Sequence, residues 1–129
     1  MKTMGSITAL YAGLTVLLFA GLSVYVSSLR GKYKTVLGDN SEPAVMRAVR
    51  AQGNCAEYIG ILFLMLLLAE MSGGDSIALH VIGGTIFATR ALHAYGVLGK
   101  QGLAHSIGAT INYLVLFGLP AYVLYLRFI

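Results

Sequence analysis

Two stretches of this chain contain no Asp, Glu, Lys or Arg: residues 3–29 and 101–126, which are 27 and 26 residues long. A helix rises 1.5 Å per residue and the apolar core of a bilayer is about 30 Å thick, so about 20 residues cross it. Each run is long enough. The rest of the chain fits the same solvent: 57% of its 129 residues are apolar and 11% are charged, against about 25% charged in a soluble domain. That leaves too few polar groups to cover a soluble surface. Intrinsic disorder needs low hydrophobicity and high charge, and is excluded. A single cysteine, Cys55, excludes a disulfide framework.

Two further apolar segments, residues 58–69 and 76–89, lie between the charge-free runs. The expected fold is all-α: one integral membrane four-helix bundle with helices at about 7–29, 43–70, 76–97 and 103–128. Only short loops remain. Gly38-Asp39-Asn40-Ser41 is dense in turn formers, Pro43 suits a first helical turn, and Ser41 or Glu42 is the expected cap. Ser72-Gly73-Gly74 ends the second helix and Asp75 is placed to cap the third. Pro120 is expected to kink the fourth, which membrane helices tolerate. Gly5, Ala9, Gly13 and Gly21 recur at multiples of four, a stripe on which another helix can approach closely.

Charge distribution sets the expected orientation. Five of the nine basic residues, Arg30, Lys32, Lys34, Arg47 and Arg50, fall in the first loop or at the start of the second helix. The second loop has one acid, Asp75, and no base, whereas Lys100 lies in the third. Loops 1 and 3 are therefore expected in the cytoplasm and both termini outside. On this reading the net charge of +4 is a topology signal and no nucleic-acid footprint. Lys2 followed by an apolar run imitates a signal peptide. The run exceeds the usual length of about 7–15 residues and lacks a small-residue cleavage site, so a retained span is expected.

Ionisable residues inside membrane helices cost about 2.5–3.5 kcal/mol each on insertion scales, which makes them the functional candidates. The second helix carries Arg47, Arg50, Asn54 and Glu57, within an arc of about 80° at 100° per residue, with Tyr58 at its border. The third carries Arg90 and His93 on one face. Two arrangements fit. Glu57 pairs with Arg90 or Arg50 and locks helices together, or the stripe binds a small zwitterion, with arginines on carboxylates, Glu57 on an ammonium and Asn54 on an amide. Cys55 lies off the stripe and reads as a packing residue. His80, at the other end of the third helix, reads as interfacial or bonded to a carbonyl. No metal site is expected, because His80, His93 and His105 lack ligand spacing and there is no H-E-x-x-H or paired-cysteine motif. Phosphate-binding glycine motifs are missing as well. Tyr113, Tyr122 and Tyr125 suit an interfacial belt or subunit packing.

The run Arg47-Ala-Val-Arg50-Ala-Gln52-Gly-Asn54-Cys-Ala-Glu57-Tyr resembles the pattern R-x-x-R-x-[HQ]-x-N-x-x-E-x-x-P of the membrane-associated proteins in eicosanoid and glutathione metabolism, the MAPEG family. Leu29-Arg30 through Gly38-Asp39, and Arg90-Ala-Leu-His93 followed by Leu98-Gly99-Lys100, extend the likeness to essentially the whole chain. It is most similar in character to the short bacterial inner-membrane members. The resemblance implies a homotrimer of four-helix subunits. It implies glutathione bound between subunits near the cytoplasmic side, and a lipophilic co-substrate entering from the membrane lipids. By motif position it implies that Arg50, Asn54 and Glu57 contact glutathione, with Arg90 and His93 on the third helix; Arg47 and Tyr58, from the polar stripe and its border, complete the candidate binding set. The implied activity is that of a glutathione transferase or peroxidase acting on lipophilic electrophiles.

Several positions depart from the family pattern. Gly60 stands in place of proline, Gly53 in place of an arginine of eukaryotic synthases, and Val97 in place of a tyrosine. At the start of the fourth helix, His105 occupies the position of the arginine that stabilises the thiolate in catalytic members, with Ser106 beside it. A nearby cation makes a thiol reactive near neutral pH. Arginine is always charged, whereas histidine as a residue type is mostly neutral at pH 7. Ser106 and the helix N-terminus can partly substitute, so His105 and Ser106 are the catalytic candidates. The alternative is a non-catalytic, lipid-binding accessory member. A small four-helix drug exporter is a third class, but it requires an acid in the first helix, which has none.

Overall fold

The computed structural model describes residues 4–39 and 41–129. Lys2, the start of the first charge-free run at Thr3, and Asn40 of the first turn lie outside the described residues. Four helices follow in order: α1 (Ser6–Lys32), α2 (Pro43–Met71), α3 (Ser76–Leu98) and α4 (Gly102–Phe128). At 23 to 29 residues, each is about 35–43 Å long and exceeds the bilayer core. All four are long and apolar enough to cross a membrane. Leu17, Leu114, Phe117 and many other large apolar side chains are exposed on the outside, which suits a lipid solvent and no aqueous one.

Connections are short, so successive helices run antiparallel. The shared centre is formed by α2 and α3, which touch each other. The first helix packs on both, as does the fourth, and α1 and α4 make no mutual contact among the described residues. The purely apolar core, built around Leu62, Leu66, Leu79, Ile86 and Leu119, fills the half of the bundle nearer the α2–α3 turn. A second cluster of Leu22, Ala51, Cys55 and Ala94 lies in the other half, beside the buried polar residues.

Local chemistry fixes the ends. Asp75 caps α3, its carboxylate accepting from the Ala78 amide at 2.9 Å. Pro43 opens α2 with Glu42 in the cap position, although the Glu42 side chain bonds none of the free amides there. Pro120 lies within α4, which continues through it unbroken. The first helix begins with Gly5 at φ 86° and has no cap of its own. Glu70, at the far end of α2, supplies one. Its carboxylate accepts from the Ile7 and Thr8 amides at 3.1 and 2.9 Å and from the Thr8 hydroxyl at 2.7 Å. A carboxylate on the positive end of a helix is doubly favourable. Glu70→Ala is expected to cost about 1–2 kcal/mol, the usual loss for an N-cap, read as a lower midpoint of thermal unfolding in detergent.

Three details differ from the sequence expectations. The first helix runs three residues past Leu29, to Lys32, because its basic last turn complements the helix dipole. The small-residue stripe on it is used inside the subunit only at Gly5, where a Cβ would stand 3.3 Å from the Leu67 side chain: Ala9, Gly13 and Gly21 face outward, and among the described residues nothing lies within 4 Å of where a Cβ would stand on Gly13 or Gly21. His80 is exposed near the start of α3, as an interfacial residue would be, but it meets the Tyr11 hydroxyl at 3.1 Å and packs edge-on against its ring, so its partner among the described residues is a side chain and no carbonyl. Cys55, 2% exposed, is the expected packing residue.

Candidate functional site

The polar face of α2 meets the bundle at an edge, and that edge divides it. Asn54 and Tyr58 are half-buried and turn inward; Arg50 and Glu57 are exposed on the outside, and Arg47 is intermediate. The division follows from helix geometry. Ala48, Ala51, Cys55, Leu62 and Leu66 mark the buried face, and at 100° per residue Asn54 and Tyr58 are nearer to it than Arg50 and Glu57.

Inside the edge lies Arg90. It is 2% exposed, among the largest side chains the bundle buries completely. Nη1 donates to Asn54 Oδ1 at 2.5 Å, and the guanidinium carbon lies 5.1 Å from the centre of the Tyr58 ring. No carboxylate pairs with it among the described residues. A carbonyl dipole and an aromatic face take the place of a counter-ion. Arg90 Nε is buried without a partner, and so is Oδ1 of Asn112 on α4. Both residues line a small cavity with Asn54, Tyr58, His93, Ala109 and Tyr113. Its volume is about 20 Å³, room for one water molecule. A peptide-sized ligand needs several hundred cubic ångströms, so it does not fit in this cavity beside Arg90.

His93, 5% exposed, is the next polar residue along α3. Its ring centre lies 4.7 Å from that of His105, at an interplanar angle of 54°. Close approach of α3 and α4 creates this pair. A Cβ on Gly96 would collide with the His105 backbone nitrogen, so that position accepts no side chain without parting the helices, and one on Gly108 would lie 3.0 Å from the His93 nitrogen, a contact that needs a shift of a few tenths of an ångström. His105 and Ser106 themselves are exposed in the first turn of α4. Gln101, at the N-cap position, bonds none of the first amides through its side chain, which leaves a partial positive charge next to the two histidines.

The structure thus brings Asn54, Tyr58, Arg90 and His93 together, sets His105 against His93, and leaves Arg50 and Glu57 facing out with no hydrogen bond or ion pair among the described residues. Neither pairing considered for Glu57, with Arg90 or with Arg50, forms. Sequence reasoning missed Asn112. Its signal was present: it is the one asparagine in the 26-residue charge-free run, and an amide there requires a polar neighbour. Tyr113, read as part of a belt, also lines the cavity.

Comparison with known proteins agrees with this architecture. The chain is 37% identical over 90 residues, 70% of its own length and 69% of the relative's, to "Inner membrane protein YecN" of Escherichia coli strain K12. The same figures hold for the protein of that name in E. coli O6:H1 strain CFT073. The MAPEG family model matches residues 8–125, a span that reaches into all four helices and includes every candidate site residue, and the chain belongs to the MAPEG family.

Proposed function

We propose that this protein binds glutathione on the outward face of α2 and uses it to conjugate or reduce lipophilic electrophiles that arrive through the membrane. The observation that carries the reading is the pair Arg50 and Glu57. They have opposite charges, lie on one face of a membrane helix, and are exposed without a hydrogen bond or ion pair among the described residues. Charges in that position require a polar neighbour or ligand. Glutathione is a zwitterion with two carboxylates, an ammonium and two amides. Arg50 and Arg47 suit the carboxylates and Glu57 the ammonium, and the Asn54 amide nitrogen, without a hydrogen bond among the described residues, can donate to the ligand while Oδ1 accepts from Arg90.

The interior cavity is too small for a tripeptide, so the ligand lies against the outside of the subunit. A neighbouring copy closing over that face, in a homotrimer, gives the enclosure that a charged ligand needs in a bilayer. The relative's name supports an inner-membrane setting, and the charge asymmetry of the loops supports cytoplasmic loops 1 and 3 with both termini outside.

Bound glutathione supplies the thiol nucleophile. His105, Ser106 and the free amides of the first turn of α4 stabilise negative charge on sulfur. The arginines, Asn54 and Glu57 fix orientation. Isothermal titration of the purified protein with glutathione tests binding; no heat at millimolar ligand overturns the proposal. For the chemistry, His105→Arg is expected to raise thiolate absorbance near 240 nm and conjugation of a generic electrophile by roughly ten-fold, because arginine places a permanent cation beside the sulfur. The histidine also favours a second reading, a non-catalytic member that presents lipid. Glutathione binding without turnover in the wild type, together with activity in His105→Arg, selects that reading.

A further inference from the structure

We propose that the turn closing α1 is a binding site for the phosphate of an anionic phospholipid headgroup, held by Lys34 and Arg30, with Val36 and Leu37 seated at the acyl boundary. This site is separate from the glutathione site and does not depend on it. The helix closes with the Thr35 amide bonded to the Arg30 carbonyl at 2.9 Å and the Lys34 amide to the Gly31 carbonyl at 3.4 Å. This closure places Lys34 in the left-handed region, at φ 52°, where glycine is the usual residue. The same closure ends α2, from the Gly74 amide to the Ala69 carbonyl, with Gly73 in the left-handed position at φ 82°. It also ends α3, from the Gln101 amide to the Gly96 carbonyl, with Lys100 there at φ 56°. Because α1 and α3 run in the same direction, both left-handed lysines lie at one end of the bundle and the glycine at the other. At one end the chain accepts an unfavourable backbone conformation to keep a cation at the level of the headgroups.

The surroundings of Lys34 suit a phosphate. An open groove is lined by Ser27, Arg30, Gly31, Lys34, Thr35 and Val36, which include two cations and no acid. Arg30 pins the loop by donating from Nη2 to the Gly38 carbonyl at 3.1 Å, and its Nε is buried without a partner. Next to the groove, Val36 and Leu37 are 86% and 84% exposed. Free phosphate gives this apolar pair no role. A lipid does: an apolar tip flanked by basic residues at a helix end is the composition of a segment lying in the interface of an anionic membrane.

The test uses the full chain in nanodiscs of mixed phosphatidylcholine and phosphatidylglycerol, with the lipids retained after extraction counted by native mass spectrometry. Wild type is expected to retain phosphatidylglycerol in preference, and about 10 mM inorganic phosphate should not displace it. Lys34→Gly suits the left-handed position, so thermal unfolding in pure phosphatidylcholine should be unchanged or higher, while the preference falls about five-fold, the factor one basic residue contributes at an anionic surface. A Val36→Ser, Leu37→Ser double variant should lower retention of both lipids. Lys32 lies over the Tyr33 ring, 5.4 Å from its centre, outside the groove, and Lys32→Gln should keep the preference. Equal retention of both lipids by wild type, an undiminished preference in Lys34→Gly, displacement by free phosphate, or an equal loss in Lys32→Gln would each overturn the proposal.

Discussion

Arg90→Ala should destabilise the subunit by about 3 kcal/mol, within the range for large-to-small changes in a packed core. Three losses contribute. The guanidinium stacks on Tyr58, a cation–π contact worth up to about 2 kcal/mol when desolvated. Its bond to Asn54 adds less than in a soluble core, about 0.6–2 kcal/mol, because helices separated in a bilayer find other partners. The empty volume adds a cavity cost between α2, α3 and α4. Against these stands the cost of burying an arginine with no carboxylate beside it, and that cost sets the sign for a different variant. Arg90→Met fills much of the volume without a charge. Apolar replacements of buried ions are often neutral or better, so Arg90→Met should fall within about 1 kcal/mol of wild type. Reversible unfolding in mixed micelles measures both. An unchanged midpoint for Arg90→Ala would mean that the guanidinium does not hold the helices together. Equal loss in both variants would put its polar contacts above its packing.

The four spans and the Asp75 cap were legible in the sequence because they depend on local features: charge-free length, Pro43, Gly73-Gly74 and an acid before a helix. The polar stripe on α2 was legible as well, since 3.6-residue periodicity places Arg47, Arg50, Asn54 and Glu57 together wherever the helix packs. What periodicity cannot show is where the edge of the bundle cuts that stripe. The line of small residues Ala48, Ala51 and Cys55 marked the buried side, and reading it alongside the charges would have separated Asn54 from Glu57. Glu70 was unreadable for another reason. It looked like the end of α2, and its role as the cap of α1 links residues 62 and 63 positions apart, which no local pattern encodes. The outward stripe on α1 shows the same limit, because small residues announce a close approach without naming the partner.

In Glu57→Gln, stability and glutathione affinity are expected to move in opposite directions. Within the subunit Glu57 makes no hydrogen bond or ion pair among the described residues and is exposed, so glutamine removes no internal contact. It does remove a charge that costs about 2.5–3.5 kcal/mol at the centre of a bilayer, less where the side chain is nearer an interface. Unfolding of the ligand-free protein should therefore be unchanged or occur at higher temperature. Binding should weaken, because an ammonium held in a dry site loses its only anion. Removing one member of a buried charge pair costs at least about 2–3 kcal/mol, which is a factor of roughly 30–150 in dissociation constant. A deaminated glutathione makes the assignment specific: wild type should bind it as weakly as Glu57→Gln binds glutathione, and the variant should bind both ligands alike, a closed cycle with one shared interaction. If instead Glu57 pairs with an arginine of a neighbouring subunit, Glu57→Gln lowers the thermal midpoint of the assembled protein and both ligands lose affinity equally. The sign of the stability change thus separates a ligand contact from a structural ion pair before any activity is measured.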